Sequence, residues 1–151
     1  MKVGVIDAGT NSIHLVIATM RPEGGYRIIL RQQRLAQLGE GGLARRRLTP
    51  QAMRRAMRVL AGYATVITRC GVDRIEAVAT SAVREAANGR VFVRRVRRKL
   101  HLPLRIISGV EEAALIYRGV VSVNRLRRPL LVVTIGGGSA QVVAEIGRAH
   151  V

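Results

Sequence analysis

The stretch Val5-Ile6-Asp7-Ala8-Gly9-Thr10-Asn11-Ser12 joins two apolar segments near the start of the chain. Residues 2–7 and 12–19 on either side have the composition of buried β-strands. The link between them is short and rich in turn-forming residues, which predicts a hairpin. The chain is therefore expected to open with two antiparallel strands joined by a glycine-containing loop.

A second stretch, Val132-Val133-Thr134-Ile135-Gly136-Gly137-Gly138-Ser139, repeats this pattern, with Gly136 at the place of Gly9 and Ser139 at the place of Ser12. Glycine lets backbone N–H groups approach an anion, and serine and threonine hydroxyls add donors. Each loop by itself is compatible with a plain tight hairpin, but the pair predicts a phosphate cradle. Asp7, at the head of the first loop, is a candidate ligand for a hydrated Mg²⁺. The candidate phosphate-binding residues are Gly9, Thr10, Asn11, Ser12, Gly136, Gly137, Gly138 and Ser139.

Between the two loops the pattern alternates between strands and helices, which predicts an α/β fold with parallel strands after the antiparallel start. Thr49-Pro50 predicts a helix start and Gly71 its end, with a core stripe of Met53, Met57, Leu60, Ala64 and Ile67. Strands are predicted at 26–38, 73–79, 104–107, 130–135 and 140–146. Helices are predicted at 81–87, 90–100 and 109–121, a loop at 39–47 and a linker at 122–129.

Composition limits the class of protein. The chain has 151 residues, of which 48% are hydrophobic, so it fits one folded domain or one domain plus part of another. No apolar run reaches the ~20 residues that a membrane span needs, and Asp7 interrupts the first apolar stretch, which argues against a signal peptide. Cys70 is the one cysteine, which excludes a disulfide framework. We therefore expect a cytoplasmic protein without a membrane partner.

The charge is unusual: 26 basic residues stand against 9 acidic ones, for a net charge of +17. Such an excess favours a polyanionic partner. Aromatic residues make up 3%, which disfavours single-strand binding by base stacking. Segment 90–100 concentrates the charge in Arg94, Arg95, Arg97, Arg98 and Lys99. This helix is an alternative functional element, a polyanion or nucleic-acid-binding module, unless it is simply a solvated face.

Two more segments carry a resemblance: Ala79-Thr80-Ser81-Ala82-Val83-Arg84-Glu85-Ala86-Ala87-Asn88 and Ile107-Ser108-Gly109-Val110-Glu111-Glu112-Ala113. Together with the two loops, and in the same order, they resemble the Ppx/GppA phosphatase family. That family comprises exopolyphosphatases and guanosine pentaphosphate phosphohydrolases of the actin-like ATPase superfamily. Sugar kinases share the glycine hairpins but not these two segments, which argues against an ATP-using kinase.

The resemblance implies an actin-like, ribonuclease-H-like fold of two domains with the active site in the cleft between them. Residues 1–125 would form the first domain, and 126–144 the opening hairpin of a truncated second one. Residues 145–151 resemble the translation of a sequencing adapter. The implied activity is release of the terminal phosphate from inorganic polyphosphate or guanosine pentaphosphate with Mg²⁺ or another divalent cation. The fragment would be inactive alone, and the full-length protein would be a possible homodimer.

The resemblance also assigns roles to individual residues. Glu112 corresponds to the carboxylate that orients or deprotonates the attacking water, and Arg84 to the arginine that contacts phosphate. Ser81 is a further candidate phosphate ligand, although it and Thr80 would equally serve to cap the next helix. Glu111 would lie about 100° from Glu112 around the helix, so the two carboxylates are not expected to face each other.

Three positions depart from the family pattern. The family normally has Asp where this chain has Thr134, Glu where it has Gln141, and Thr where it has Ala140. Thr and Gln form hydrogen bonds but carry no charge for Mg²⁺. Either the chain is a weakened or non-catalytic member, or Asp7 and Glu112 suffice, or the sequence contains errors at these positions.

Overall fold

The structure is a computed structural model that describes residues 1–124 and 130–145. It contains a five-stranded mixed sheet and a separate two-stranded sheet. The strands are β1 (Lys2–Ala8), β2 (Ser12–Met20), β3 (Tyr26–Leu35), β4 (Arg74–Ala79), β5 (Leu104–Ile106), β6 (Leu130–Ile135) and β7 (Ala140–Glu145). The helices are α1 (Pro50–Arg69), α2 (Ser81–Arg84), α3 (Gly89–Leu100) and α4 (Gly109–Asn124), with a 3₁₀ turn at Leu43–Arg45.

The five-stranded sheet has the order β3-β2-β1-β4-β5. β1 pairs antiparallel with β2, and β2 with β3, whereas β4 lies parallel to both β1 and β5. The predicted antiparallel start followed by parallel strands is therefore confirmed. The carboxyl ends of β1, β4 and β5 meet at one edge of the sheet, so the segments that follow them converge there.

The core lies between one face of this sheet and the helices α1 and α3. Ile6, Ile13, Leu15 and Ile17 alternate along β1 and β2 and are completely buried, as is Phe92 on α3. Tyr63 on α1 donates a 2.9 Å hydrogen bond from its hydroxyl to the carbonyl of Ile13. The alternation places Asp7 on the opposite face of β1, away from this core.

Helix α1 begins as predicted, because the Thr49 hydroxyl accepts a 3.1 Å hydrogen bond from the backbone of Ala52. Its core stripe, however, differs from the prediction. The buried residues are Ala52, Ala56, Leu60, Tyr63 and Ile67, whereas Met53, Met57 and Ala64 are partly buried. Ala52 and Ala56 occupy the buried positions, whereas Met53 and Met57 line a surface depression together with residues of α3.

Other boundaries shift for identifiable reasons. The third strand ends at Leu35 rather than residue 38, because the amides of Ala36 and Gln37 bond to the carbonyl of Asn11 instead of continuing the ladder. Helix α4 extends to Asn124, so residues 122–124 are helical and not part of a linker. The rest of the predicted linker, 125–129, and residues 146–151 of the predicted adapter segment lie outside the described residues.

The hairpin of β6 and β7 forms its own sheet, as predicted. The division of the chain into domains at residue 125 stays a prediction. Among residues 1–124 and 130–145, no helix combines the length and hydropathy that crossing a membrane requires.

Candidate active site

Two loops of the same geometry form the centre of the candidate site. In the loop between β1 and β2, the amide of Gly9 donates to the carbonyl of Ser12 over 3.1 Å; in the loop between β6 and β7, that of Gly136 donates to Ser139 over 2.7 Å. The strand registers agree as well. Asp7 is opposite His14 in the first hairpin, and Thr134 is opposite Gln141 in the second. The internal repeat inferred from sequence is therefore a repeat of structure.

The two loops approach each other closely. A methyl group added at Gly138 would lie 2.6 Å from the Thr10 hydroxyl and 3.0 Å from the Ser81 hydroxyl. One added at Gly137 would overlap the side-chain amide of Asn11. These two glycines are therefore required by the close approach of the second loop to the first.

Both loops contain backbone N–H groups that have no hydrogen-bond acceptor among the described residues. The amides of Thr10, Asn11, Gly137 and Gly138 donate to no group in the part of the chain that the structure describes. The carbonyls of Thr10 and Asn11, by contrast, accept bonds of 2.7–3.1 Å from segment 36–39. Segment 36–39 thus satisfies the acceptors of the first loop and leaves its donors unused. Unused amides from consecutive residues are the groups that bind phosphate oxygens.

Ser81 joins the first loop to the start of α2. Its side chain is buried, and its hydroxyl lies 2.8 Å from that of Thr10. Thr80 occupies the N-cap position of α2 but makes no capping hydrogen bond with its side chain. Thr80 therefore does not cap α2 through its side chain, and phosphate binding by Ser81 stays a prediction. The contact between Ser81 and Thr10 had no signal in the sequence.

Arg84 and Glu112 form an ion pair beside these loops. Nη1 of Arg84 donates to Oε2 of Glu112 over 2.8 Å and to the carbonyl of Ile107 over 3.2 Å, and its Nε contacts Glu85 over 3.2 Å. The side chains of Arg84 and Glu112 are 19% and 14% exposed. Within the described residues, Nη2 of Arg84 and Oε1 of Glu112 have no partner. Each group therefore keeps one atom for a ligand while the other holds it in place.

Glu111 has a separate environment, as expected from its position on α4. It pairs with Arg105 over 2.7 Å, and this hydrogen bond, despite partial desolvation, lowers the pKa of its carboxyl. The two adjacent carboxylates thus have different arginine partners.

Asp7 is the carboxylate at the head of the first loop. The protein around its carboxyl raises its pKa by desolvation; the neighbouring His14 opposes this increase, and the negative charge of Glu112 adds to it. Asp7 and Glu112 are therefore close enough for their charges to interact. His14 is half-buried in β2, directly opposite Asp7 on the neighbouring strand.

The head of the second loop carries no charge. Thr134 donates from its hydroxyl to Oε1 of Gln141 over 3.0 Å, and Nε2 of Gln141 donates to the Ser139 hydroxyl over 2.8 Å. The described residues contain no group of three or more His, Cys, Asp or Glu that would hold a metal ion. Mg²⁺, however, is often held by one or two carboxylates together with substrate phosphates, and Asp7 fits such an arrangement.

Comparison with known proteins agrees with this geometry. Residues 16–150 match the family described as the Ppx/GppA phosphatase family. Exopolyphosphatase 2 of Mycobacterium tuberculosis is 36% identical over 151 aligned residues, which cover 94% of this chain and 47% of that protein. The chain therefore spans about half the length of the curated relatives it matches.

Solved structures give the same result. A crystal structure of an exopolyphosphatase from Cytophaga hutchinsonii is 30% identical with a TM-score of 0.92, covering 99% of this chain and 48% of that one. The Aquifex aeolicus member of the Ppx/GppA family is 33% identical with a TM-score of 0.86, covering 97% and 48%. These neighbours confirm the actin-like, ribonuclease-H-like fold expected from sequence. From the matching family model, the sequence identity and the shared fold together, we conclude that the chain belongs to the Ppx/GppA phosphatase family.

Proposed function

We propose that this chain is the N-terminal part of a phosphoanhydride hydrolase that releases the terminal phosphate of inorganic polyphosphate. The observation that carries the proposal is the set of unused amides on two facing loops, next to the ion pair of Arg84 and Glu112. Amides and a guanidinium bind phosphate oxygens, and a carboxylate accepts a proton from water. The family membership and the exopolyphosphatase relatives support this substrate class.

In this proposal, phosphate binding and proton transfer are carried out by different residues. The loop amides and Nη2 of Arg84 would hold the oxygens of the terminal phosphate, and Oε1 of Glu112 would accept a proton from the attacking water. A new P–O bond forms to that water while the anhydride bond breaks, releasing orthophosphate and a polyphosphate shorter by one unit. Most of the catalysis in such reactions comes from positioning and charge stabilisation.

Mg²⁺ or another divalent cation is part of the proposal. The desolvated carboxylate of Asp7 would hold it together with substrate phosphates, and the cation would neutralise charge that develops on the phosphate oxygens. A cation at this place would also relieve the repulsion between Asp7 and Glu112. Because the relatives are about twice as long as this chain, we expect the 151-residue chain by itself to bind phosphate without efficient turnover.

The proposal also covers a second candidate substrate, the oligomeric state and the location of the full-length protein. Guanosine pentaphosphate is the second candidate substrate, because the family includes enzymes of both kinds. A homodimer of the full-length protein and a cytoplasmic location are also proposed, on the resemblance and on the composition of the chain respectively.

The test is phosphate release by the chain completed with the C-terminal half of the Mycobacterium tuberculosis relative. Replacing Glu112→Gln should lower kcat for polyphosphate by about 10²–10⁴-fold, because general base catalysis is typically worth that much. Glu111→Gln is the matched control, since it removes the adjacent carboxylate and should leave kcat within a few-fold. Equal losses in both variants would contradict the role of Glu112. Faster release from guanosine pentaphosphate than from polyphosphate would reverse the choice of substrate.

A further inference from the structure

A continuous strip of positive charge runs across the helices α1 and α3. It connects three shallow depressions of about 660, 690 and 710 Å³. The first is lined by Arg84, Arg94 and Arg97, and the second by Arg94, Arg95 and Arg97. The third lies between Arg95 of α3 and Arg54 and Arg58 of α1. We call the cations that line the second and third depressions the basic band, leaving out Arg97, which bonds to the carbonyl of Leu104. They are Arg54, Arg58, Arg94, Arg95, Arg98 and Lys99.

These six side chains have no counter-charge among residues 1–124 and 130–145, where none of them takes part in a hydrogen bond or an ion pair. Neither α1 nor α3 contains an Asp or a Glu. By contrast, Arg55 on the same helix binds Glu40 and the carbonyl of Ala36. The band therefore consists of cations left without partners, on two helices that pack against each other.

Like charges this concentrated repel one another within the screening length of about 8 Å at physiological ionic strength. A bound polyanion removes this repulsion and releases its counterions, which is favourable. The floor between the cations contains the partly buried Met53 and Met57, whereas the cationic residues around it are exposed. The band is thus suited to a long, flexible anion lying along the surface.

Two observations distinguish polyphosphate from nucleic acid. First, the strip leads to Arg84, the arginine of the candidate active site. Second, it offers no exposed aromatic side chain in the residues lining it: Phe92 borders it but is completely buried. Bases are held on single strands by aromatic stacking, whereas phosphates need only guanidinium and ammonium groups.

We propose that the basic band binds the distal part of a long inorganic polyphosphate chain whose terminal phosphate lies at the two glycine loops. The inference rests on the proposed function, because it takes polyphosphate as the ligand. It predicts that the affinity for polyphosphate keeps increasing when the polymer becomes longer than the part that the loops and Arg84 can contact. The band would thereby favour long polymers over short phosphates as substrates.

The experiment is equilibrium binding of the 151-residue chain to long-chain polyphosphate and to tripolyphosphate. The test variant carries Arg54→Gln, Arg58→Gln and Arg95→Gln. The control carries Arg21→Gln, Arg27→Gln and Arg31→Gln, three exposed arginines on or next to β3 that lose the same charge. Circular dichroism melts of both variants check that each remains folded.

The test variant should bind long polyphosphate roughly tenfold more weakly, equivalent to about 1.4 kcal/mol, because three exposed contacts with phosphate are lost. The slope of log affinity against log salt should fall by about 2. Tripolyphosphate binding should stay unchanged in both variants, and the control should keep most of its affinity for the long polymer. Equal losses in the test and control variants would overturn the proposal, because the effect would then be one of net charge.

Two further outcomes separate this inference from the proposed function. If a Glu112→Gln enzyme keeps its activity but the triple variant selectively loses long-chain binding, the catalytic assignment fails and the basic band stands. If single-stranded RNA or polyglutamate displaces long polyphosphate from the band at equal charge concentration, the polyphosphate assignment is overturned. Weak displacement by both polymers supports it.

Discussion

At the scale of single residues, the site depends on pairs that hold one another in place. Arg84 and Glu112 are 28 positions apart in sequence, yet their 2.8 Å contact orients both. Sequence motifs identified the two residues but gave no indication that they bind each other. The pairing follows from the parallel arrangement of β4 and β5, which brings the segments after these strands to the same edge of the sheet.

Asp7 gives a prediction on stability. Desolvation raises its pKa in the folded state above the ordinary value of about 3.9, so the fold favours the protonated carboxyl. The stability that protonation provides is fully present below about pH 4 and is lost as the pH rises through the folded-state pKa. Asp7→Asn should therefore raise the thermal unfolding midpoint at neutral pH, and this gain should disappear in acid.

The measurement is a series of thermal melts between about pH 3 and pH 8. Glu23→Gln, which removes an exposed acid from the turn before β3, is the control for loss of one negative charge. A midpoint for Asp7→Asn that is lower than the unsubstituted chain's at neutral pH would contradict the prediction. Added Mg²⁺ should stabilise the unsubstituted chain more than Asp7→Asn.

Thr134 and Gln141 give a prediction on activity. Both side chains are neutral, and they bond to each other at the head of the second loop, where the resemblance to the family implies two acids. In the completed chain, Thr134→Asp with Gln141→Glu should raise Mg²⁺-dependent phosphate release by at least about tenfold, because carboxylates bind the cation and the neutral groups do not. Phosphate assays across Mg²⁺ concentrations check this. An unchanged rate would show that these positions do not limit activity.

At the scale of elements, the important feature is the close approach of two turns from different hairpins. Glycine at 137 and 138 was expected because amides must reach a phosphate. The structure gives a second reason, which is that Thr10, Asn11 and Ser81 occupy the space that any larger side chain would need. A sequence pattern cannot show this contact, since it depends on where the second hairpin docks.

Gly138→Ala tests the approach of the loops. The added methyl group would lie 2.6 Å from the Thr10 hydroxyl, so the loops must separate at an overpacking cost of about 1–3 kcal/mol. Tripolyphosphate binding measured by calorimetry should weaken by roughly tenfold. Gly119→Ala on α4 is the control, because nothing lies within 4 Å of an added methyl group there. Unchanged binding in Gly138→Ala would mean that the loops do not act together.

At the scale of the whole molecule, the described residues form two unequal parts. The main sheet has helices packed on one face and a continuous core, whereas the hairpin of β6 and β7 has its own small sheet. Much of the hairpin is apolar and open to solvent: Leu131, Val133, Ile135 and Val142 are 56–84% exposed. The longer relatives of the family are roughly twice the length of this chain.

This division predicts that a chain ending at residue 124 remains folded. The core residues named for β1, β2, α1 and α3 all precede that point, so the truncated chain should keep a cooperative thermal transition within a few degrees of the 151-residue chain. Circular dichroism melts give the answer. It should also bind less of a dye that reports exposed apolar surface. Loss of the cooperative transition would show that the hairpin belongs to the same folding unit and that a boundary at residue 125 is wrong.

The sequence by itself determined the order of strands and helices, the repeated glycine loop and the family, because all of these depend on local patterns of apolar, turn-forming and motif residues. It was right about Leu60 and Ile67 in the α1 stripe, but the other buried positions are Ala52, Ala56 and Tyr63, whereas Met53, Met57 and Ala64 are only partly buried. Tertiary structure alone decided that Glu112 pairs with Arg84 and that Ser81 contacts Thr10. It also brought together the cations of α1 and α3, which have no partner among the described residues, in one band that leads to Arg84. These arrangements join residues far apart in the chain, and their positions depend on how the elements pack rather than on any local preference.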